Sequence, residues 1–437
     1  MKWTKDSGPT SMRSKVCLIH DIGAVFILLF TLFTGCASSG APGAVKIAVI
    51  TDIHFLDTLL AAEGESLFAY EKATGRNITD LHAVLDAVLD DLKEEAPDLL
   101  LVTGDITNHG EKQSHLGFIE KLRLLQSRGT RILVIPGNHD INIPDAKAYR
   151  GNQATPAETV SKEEFVELYA PFGYSDALKR DKASLSYLAE INEGVWLLCF
   201  DTNRYEEHTT TSVTGGRILP ETMDWALDIL YEAKEKGITV LGMMHHGLVE
   251  HMPYQAAFFP QYLIDEWEKN AGLLADTGLK VVFTGHFHAN DITMHTSSAG
   301  NILYDVETAS LAQYPFAYRI MELNDTGLSI DTRFVAAIPG NADLAAVYRD
   351  KLEAITRRVA RNRLDGLDIP MPEETLDALT DVIVKLNLIH VRGDEKPDMA
   401  LKMAIRIFAD LMGSEADQDS FAFDFPPEDN RVVIPFQ

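Results

Sequence analysis

Cysteine, tryptophan and positive charge are all scarce in this chain of 437 residues. It carries 39 Lys and Arg against 65 Asp and Glu, a formal net charge of −26. That balance argues against a nucleic-acid groove lined by Lys and Arg, and against a basic patch for an anionic membrane. Acidity of this kind is ordinarily a solubility property. The apolar run Ala24–Phe33 is too short to span a bilayer with comfort. Of the three cysteines, Cys199 lies inside Trp196-Leu197-Leu198-Cys199-Phe200 and reads as a small buried hydrophobe rather than a nucleophile. What the chain has in quantity is apolar residues: 46% of a length above one domain's worth, enough for a sizeable core.

Lys2, Lys5, Arg13 and Lys15 precede the apolar run, which closes on Leu32-Phe33-Thr34-Gly35-Cys36 and then Ala37-Ser38-Ser39-Gly40. This stretch resembles the signal of a bacterial lipoprotein, in which a small residue precedes a cysteine that becomes lipid-modified and N-terminal. The resemblance implies a signal peptide over residues 1–35, lipidation at Cys36, a tether over 36–44 and an extracytoplasmic, membrane-anchored lipoprotein. Cys17 would leave with the signal, and Cys199 alone cannot form an internal disulfide. A plain cleaved signal or a core helix are the other readings, and Met12 is an alternative start.

From Val45 onward, buried strands alternate with helical stretches, the pattern of an α/β layer architecture. Val45–Thr51, Leu99–Thr103, Arg131–Ile135, Val195–Phe200, Thr239–Met243 and Leu279–Thr284 are short runs rich in Val, Ile and Leu. Thr79–Leu92 and Ser114–Leu125 have helical period. Ile302–Asp305, Tyr318–Leu323 and Leu328–Phe334 read as antiparallel strands, the last two joined through Asn324-Asp325-Thr326-Gly327. Mixed pairing of this kind suggests two sheets face to face with helices outside. After Pro339-Gly340 the composition changes. Three helical patterns follow, so a catalytic domain is expected over 45–340 and a helical appendage with a loose tail over 341–437.

Five clusters sit where buried strands would end: Asp52-Ile53-His54, Gly104-Asp105, Gly137-Asn138-His139-Asp140, His245-His246 and Gly285-His286-Phe287-His288. Residues two apart on a strand point to the same side, so Asp52 with His54, and His286 with His288, can chelate from a strand end. A carboxylate such as Asp105 has two oxygens and can bridge two cations. Any one cluster alone is weak, an Asp cap or a packed histidine. Five at strand carboxyl ends, where α/β sheets gather ligands, point to two metal ions.

These residues resemble the calcineurin-like metallophosphoesterase superfamily over about residues 45–310 of the sequence. The resemblance implies a four-layer αββα sandwich of two mixed β-sheets flanked by helices. It implies that Asp52, His54 and His288 bind one metal, that Asn138, His245 and His286 bind the other, and that Asp105 bridges the two. His139 would face the scissile phosphate and protonate or stabilise the leaving alkoxide, with Asp140 orienting it. Mixed N/O ligation suits Mn, Fe or Zn, and two such ions hold a bridging hydroxide that attacks phosphorus in line. Gly247 follows the His-His pair where many relatives have Pro, which leaves His246 as an alternative to His245.

The expected partner is a small phosphate ester, and long nucleic acid is not expected. Asp52-Ile53-His54-Phe55, Gly104-Asp105-Ile106-Thr107, the helical extension and the lipoprotein signal resemble bacterial secreted members linked to cyclic nucleotides, which favours a phosphodiesterase. A nonspecific phosphomonoesterase is the alternative, and a non-catalytic metal-binding surface lipoprotein a minor one. Asn203–Arg217 is expected as a loop near the cleft. Arg217 reads as a surface residue before a phosphate partner. His82, His295 and His390 read as solvated or packed, while His109 and His115, after the Gly-Asp motif, are candidates to face the cleft.

Overall fold

The computed structural model describes residues 43–253, 255–366, 371–411 and 428–436. The signal peptide over 1–35, the lipidation at Cys36 and all but the last two residues of the 36–44 tether lie outside the described residues. Among the described residues, no helix is long and apolar enough to cross a membrane.

Val45–Ile50 is buried at every position but Lys46, which suits a strand covered on both faces. It pairs in parallel with Leu99–Val102, which pairs in parallel with Arg131–Val134. On its other side lie, antiparallel in turn, Ala317–Asn324, Gly327–Phe334 and Arg431–Pro435, making a six-stranded mixed sheet. The second sheet has seven strands. Four parallel strands form its centre: Val195–Cys199, Thr239–Met243, Leu279–Thr284 and Ile302–Glu307. Antiparallel strands Ile292–Thr296 and Tyr187–Asn192 flank them, the latter followed by Lys179–Arg180.

Parallel neighbours need crossovers, and helices supply four of the five: Leu81–Glu95 and Lys112–Gln126 in the first sheet, Pro220–Lys236 and Trp267–Thr277 in the second, while the strand Ile292–Thr296 lies in the fifth. The helix Leu81–Glu95 buries Leu81, Val84, Leu85, Val88, Leu89 and Leu92, one stripe at three- and four-residue spacing. Alternation along the second sheet splits its residues between two cores. Leu197, Cys199, Leu241, Met243, Val281 and Phe283 join the core shared with the first sheet. Leu198, Val240 and Val282 face the other way, against Ala226, Ile229, Leu230 and Leu274 of the helices. The expected sandwich of two mixed sheets with helices outside is therefore the observed one.

The C-terminal part departs from expectation in one respect. Helices Leu344–Asp365, Glu373–His390 and Met399–Leu411 form as read, but the tail is not all loose. Arg431–Pro435 becomes the edge strand beside Gly327–Phe334, with Ile434 buried in the core. The β-branched Val432-Val433-Ile434 explains that choice, yet a run of three is too short to separate from a loop by pattern alone.

Leu85 is fully buried. Leu85→Ala is predicted to cost about 2–5 kcal/mol of stability, read as a lowered midpoint in chemical denaturation. A loss under about 1 kcal/mol would mean that the first sheet's outer layer is not packed as described.

Candidate metal centre

Five parallel strands, three in the first sheet and two in the second, deliver the five clusters at their carboxyl ends. Immediately past those ends the backbone is unusual. Of ten non-glycine residues with positive φ among the described residues, five are Asp52, His54, Asp105, His286 and His288. The left-handed region costs an L-residue roughly 1–2 kcal/mol, so its concentration at one place calls for a local cause. Part of the cause is hydrogen bonding between the first two loops. Asp52 N donates to Gly104 O at 3.1 Å, His54 N to Asp105 O at 2.9 Å and Phe55 N to Ile106 O at 2.8 Å. Two glycines let the loops close in. A Cβ on Gly137 would stand 2.1 Å from Asp105 N, and one on Gly285 would stand 2.5 Å from Asp52 Oδ2.

The side chains converge in two groups, Asp52 with His54 and His288, and Asp105 with His245 and His286. Within each group the candidate ligand atoms all lie within 4.8 Å of one another. His288 Nε2 is 3.1 Å from Asp52 Oδ1 and 3.3 Å from His54 Nε2. Asp105 faces both groups with different oxygens: Oδ1 is 3.4 Å from His245 Nε2, Oδ2 is 3.7 Å from His54 Nε2. Asn138 Oδ1 lies 3.2 Å from His245 Nε2, and its Nδ2 reaches Ser212 Oγ at 3.5 Å, so the Asn203–Arg217 loop does border the site.

Three imidazoles are held from behind, as metal-ligating histidines usually are. His245 Nδ1 donates to Thr103 O at 2.9 Å, His286 Nε2 to Gln261 O at 3.2 Å and His288 Nδ1 to Gln313 Oε1 at 3.2 Å. With one nitrogen so engaged, each ring would offer its other nitrogen to an ion once any proton there has left. His246 differs: Nδ1 meets Thr202 Oγ1 at 2.8 Å and Nε2 meets Thr214 O at 3.0 Å, so both of its nitrogens are engaged elsewhere. Of the pair, only His245 presents a nitrogen to the Asp105 carboxylate.

The electrostatics ask for a cation. Burial alone would raise the Asp105 carboxyl, yet His245, His139 and His54 hold it well below the usual range. Burial would lower His245, but Asp105 and then Asp52 raise it to about 9, so in the absence of metal a proton supplies positive charge. Burial keeps His54 and His286 neutral, His286 down to about 3. Neutral imidazoles, carboxylates and an amide oxygen, without a thiolate, form a donor set that fits divalent first-row ions.

His139 stands beside these groups, its ring 5.2 Å from that of His54. Its backbone N donates to Asp105 Oδ1 at 2.8 Å. The expected role of Asp140 as the partner that orients the His139 ring is not what the geometry gives. The Asp140 carboxylate accepts from Gly137 N, Ile106 N, Thr107 N and Thr107 Oγ1, tying the two loops together. The reason is direction: adjacent residues in the turn point apart. The His139 ring instead receives Arg76 Nη2 on its Nε2 at 3.0 Å, and burial with that guanidinium keeps it neutral.

Arg76 was not legible as a site residue, since it lies in the loop Gly75–Asp80 with no motif around it. Its Nη1 also reaches Tyr70 OH, Asn108 O and Asn108 Oδ1, each at 3.0 Å. His109 does face this area, with its ring 5.0 Å from His139. His115 does not: it is buried behind the site between Tyr169 OH and Asp140 O. Arg217 pairs with Glu207, in line with a surface role. His82 packs on Phe55, Cys199 is buried as read, and His390 is taken up below.

A family model described as calcineurin-like phosphoesterase matches residues 45–290. The chain belongs to that family. Calcineurin-like phosphoesterases hydrolyse phosphate esters with two divalent ions, in keeping with two neighbouring ligand groups. Among solved structures the chain is similar to a dimetal phosphatase from Danio rerio, at 12% identity over 66% of this chain and 96% of that one, with a TM-score of 0.46. It is also similar to a purple acid phosphatase from yellow lupin seeds, at 12% identity, 67% and 51% coverage and a TM-score of 0.35. This phosphoesterase chain thus spans about half the length of the lupin enzyme. A third similarity is to a phosphopantetheinyl hydrolase from Mycobacterium tuberculosis, at 14% identity, 61% and 89% coverage and a TM-score of 0.32. No curated protein matches the sequence.

One consequence of burial is testable in this phosphoesterase without metal. Burial lowers His115 to about 4, while an unfolded histidine titrates near 6.5. Between those values the unfolded chain binds a proton that the folded chain refuses, so His115 stabilises the fold above about pH 6.5 and loses that contribution as pH falls toward 4. The predicted slope is up to about 1.4 kcal/mol per pH unit. Comparing denaturation of wild type and His115→Asn across pH 4–7 reads it. A constant difference between the two proteins would contradict the assignment.

Proposed function

We propose that this phosphoesterase cleaves small phosphodiesters, with cyclic nucleotides the favoured class, at an extracytoplasmic membrane surface. The observation that carries the hydrolytic reading is the Asp105 carboxylate turned toward both ligand groups. In this reading Asp52, His54 and His288 hold one ion, Asn138, His245 and His286 hold the other, and Asp105 is shared. The choice of His245 over His246 rests on its Nε2, which faces Asp105 and Asn138, while both His246 nitrogens are engaged elsewhere. Mn, Fe or Zn are the candidate ions, and two of them would neutralise phosphate charge and activate water.

The chain's own residues supply orientation. Arg76 donates to His139 Nε2, so that nitrogen carries a lone pair. A phosphate that draws the guanidinium onto its own oxygens would free His139 Nε2 to take up a proton, and the resulting N–H could then donate to the leaving oxygen and stabilise the developing charge. Tyr70 and Asn108 hold Arg76 at the rim of the site, and Asp140 keeps the loops that carry Asp105 and Asn138 in register.

The diester preference draws on the sequence: the segments around Asp52 and Asp105, the C-terminal helices and the lipoprotein-like leader resemble secreted members linked to cyclic nucleotides. The same leader supports a lipid anchor at Cys36. Cys36→Ala is expected to move the protein from the membrane fraction to the soluble extracytoplasmic fraction, and an unchanged distribution would remove the anchor from the proposal.

The chemistry is tested by two variants assayed on a bis-aryl phosphate and an aryl monophosphate. Asp105→Asn and His139→Ala are each expected to lower turnover at least about 100-fold, the scale of a lost charge-stabilising or proton-transferring group. Only Asp105→Asn should also lose metal by elemental analysis. Equal metal loss in both would sink the role given to His139. Turnover of the monoester alone would replace the diesterase reading with a phosphomonoesterase.

A further inference from the structure

Behind the last ligand loop lies a second collection of buried ionisable groups, separate from the centre above. Asp291, Asp305, Glu307, Glu395 and Asp429 are all buried, with His251, His390 and Arg319 among them. Five carboxylates face at most three cations, and the one permanent cation spends its donors elsewhere. Arg319 donates to Thr308 Oγ1, Thr332 Oγ1, Asp429 O and Glu307 O, two hydroxyls and two carbonyls, and to no carboxylate of the described residues. Burying unbalanced carboxylates is costly unless charge or hydrogen bonds compensate.

Some of these acids are satisfied by backbone N–H groups and a hydroxyl. Asp305 accepts from Leu248 N, Val249 N and Thr284 Oγ1, and Asp429 from Ile292 N and Asp394 N. Glu395 is not: its Oε1 is 2.5 Å from His390 Nδ1, while its Oε2 is buried and accepts no hydrogen bond from the described residues. Glu307 Oε2 is likewise buried without a donor. Burial and the acids nearby raise the carboxyls of Glu307, Glu395 and Asp429, Asp429 to about 9. Protons on these acids thus stand where the side chains supply too little positive charge.

We propose that Asp291, His390 and Glu395 form a third cation site, taking a divalent transition ion of the Zn²⁺ class and clamping the C-terminal helices to the loop that follows His288. Their ligand atoms lie within 4.8 Å of one another. Asp291 Oδ2 is 3.7 Å from His390 Nδ1. One imidazole and two carboxylates make a three-ligand set that leaves a fourth position for water, familiar for Zn²⁺ and too small for Ca²⁺, which takes six to eight oxygens. Binding would require His390 to give up the proton between Nδ1 and Glu395, so the ion replaces a proton. His251 Nδ1 lies 2.7 Å from Asp291 Oδ1 and would orient that carboxylate from behind.

The placement explains what such a site would do. Asp291 is three residues past His288, and the Phe287 ring between the paired histidines lies 5.7 Å from that of His390. His390 ends the helix Glu373–His390, and Glu395 follows in the loop beyond it. An ion there would tie the C-terminal segment to the backbone carrying His286 and His288. The site draws on no residue of the Asp105 centre, so its occupancy can be measured independently.

The full chain, stripped with chelator and re-equilibrated with Zn²⁺, is compared with Glu395→Gln and Asp291→Asn by elemental analysis after circular dichroism has checked folding. One ion per chain fewer in each variant is expected, whatever the occupancy of the Asp105 centre. Equal counts in wild type and variants would overturn the site. If the variants do not fold, crystals of the wild type equilibrated with Zn²⁺ decide it at the zinc edge. An anomalous peak among Asp291, His390 and Glu395 is expected, and its absence would overturn the proposal and leave a proton shared between His390 and Glu395.

Discussion

The rest of the structure is organised around the burial of one carboxylate. Asp105 is about as inaccessible as a core leucine, being 1% exposed. An isolated carboxylate in that position would carry a desolvation cost of several kcal/mol. Its neighbours offset that cost in several ways at once. The His139 N–H donates to one oxygen, His245 approaches the same oxygen, and His54 approaches the other. Gly137 allows the next loop to lie against Asp105 with no side chain between. The Asp140 carboxylate then binds the backbone on both sides of the seam, at Gly137 on its own loop and at Ile106 and Thr107 on the other.

Packing of the two sheets is what completes each ligand group. Asp52, His54, Asp105 and Asn138 come from the first sheet, while His245, His286 and His288 come from the second. Neither group is drawn from one sheet alone: His288 crosses to Asp52 and His54, and Asp105 crosses to His245 and His286. The hydrophobic interface between the sheets, with Ile47 and Val49 on one side and Met243 and Phe283 on the other, therefore sets the spacing of the polar site. Close packing makes such an interface resistant to small displacements. It can thereby hold five left-handed residues in place.

Legibility in the sequence followed how local each feature is. The clusters were readable because an apolar run, a glycine and a polar ligand follow one another within a few positions, and helix Leu81–Glu95 because its buried stripe repeats at helical spacing. Arg76 was not readable, because its role comes from Tyr70, Asn108 and His139, the last 63 positions away. Asp140 was readable as part of the site but not for its task, since a turn sends neighbouring side chains in different directions. In the sequence His390 reads as an ordinary packed or solvated histidine, and in the structure it is buried against Glu395 and near Asp291, 99 residues earlier in the chain.

The amino-acid sequence by itself determined the strand and helix order, the α/β class, the identities of the ligand-type residues and their position at strand ends. These follow from periodicity and from short motifs, which act over a few residues. Tertiary structure decided which nitrogen of each histidine faces inward, which of His245 and His246 meets Asp105, and what stands behind His139. Those outcomes depend on acceptors such as Thr103 O, Gln261 O, Gln313 Oε1 and Thr214 O, which come from other segments of the chain. A side chain's hydrogen-bond partners are assigned by the packing of whole layers, and no window of sequence contains them.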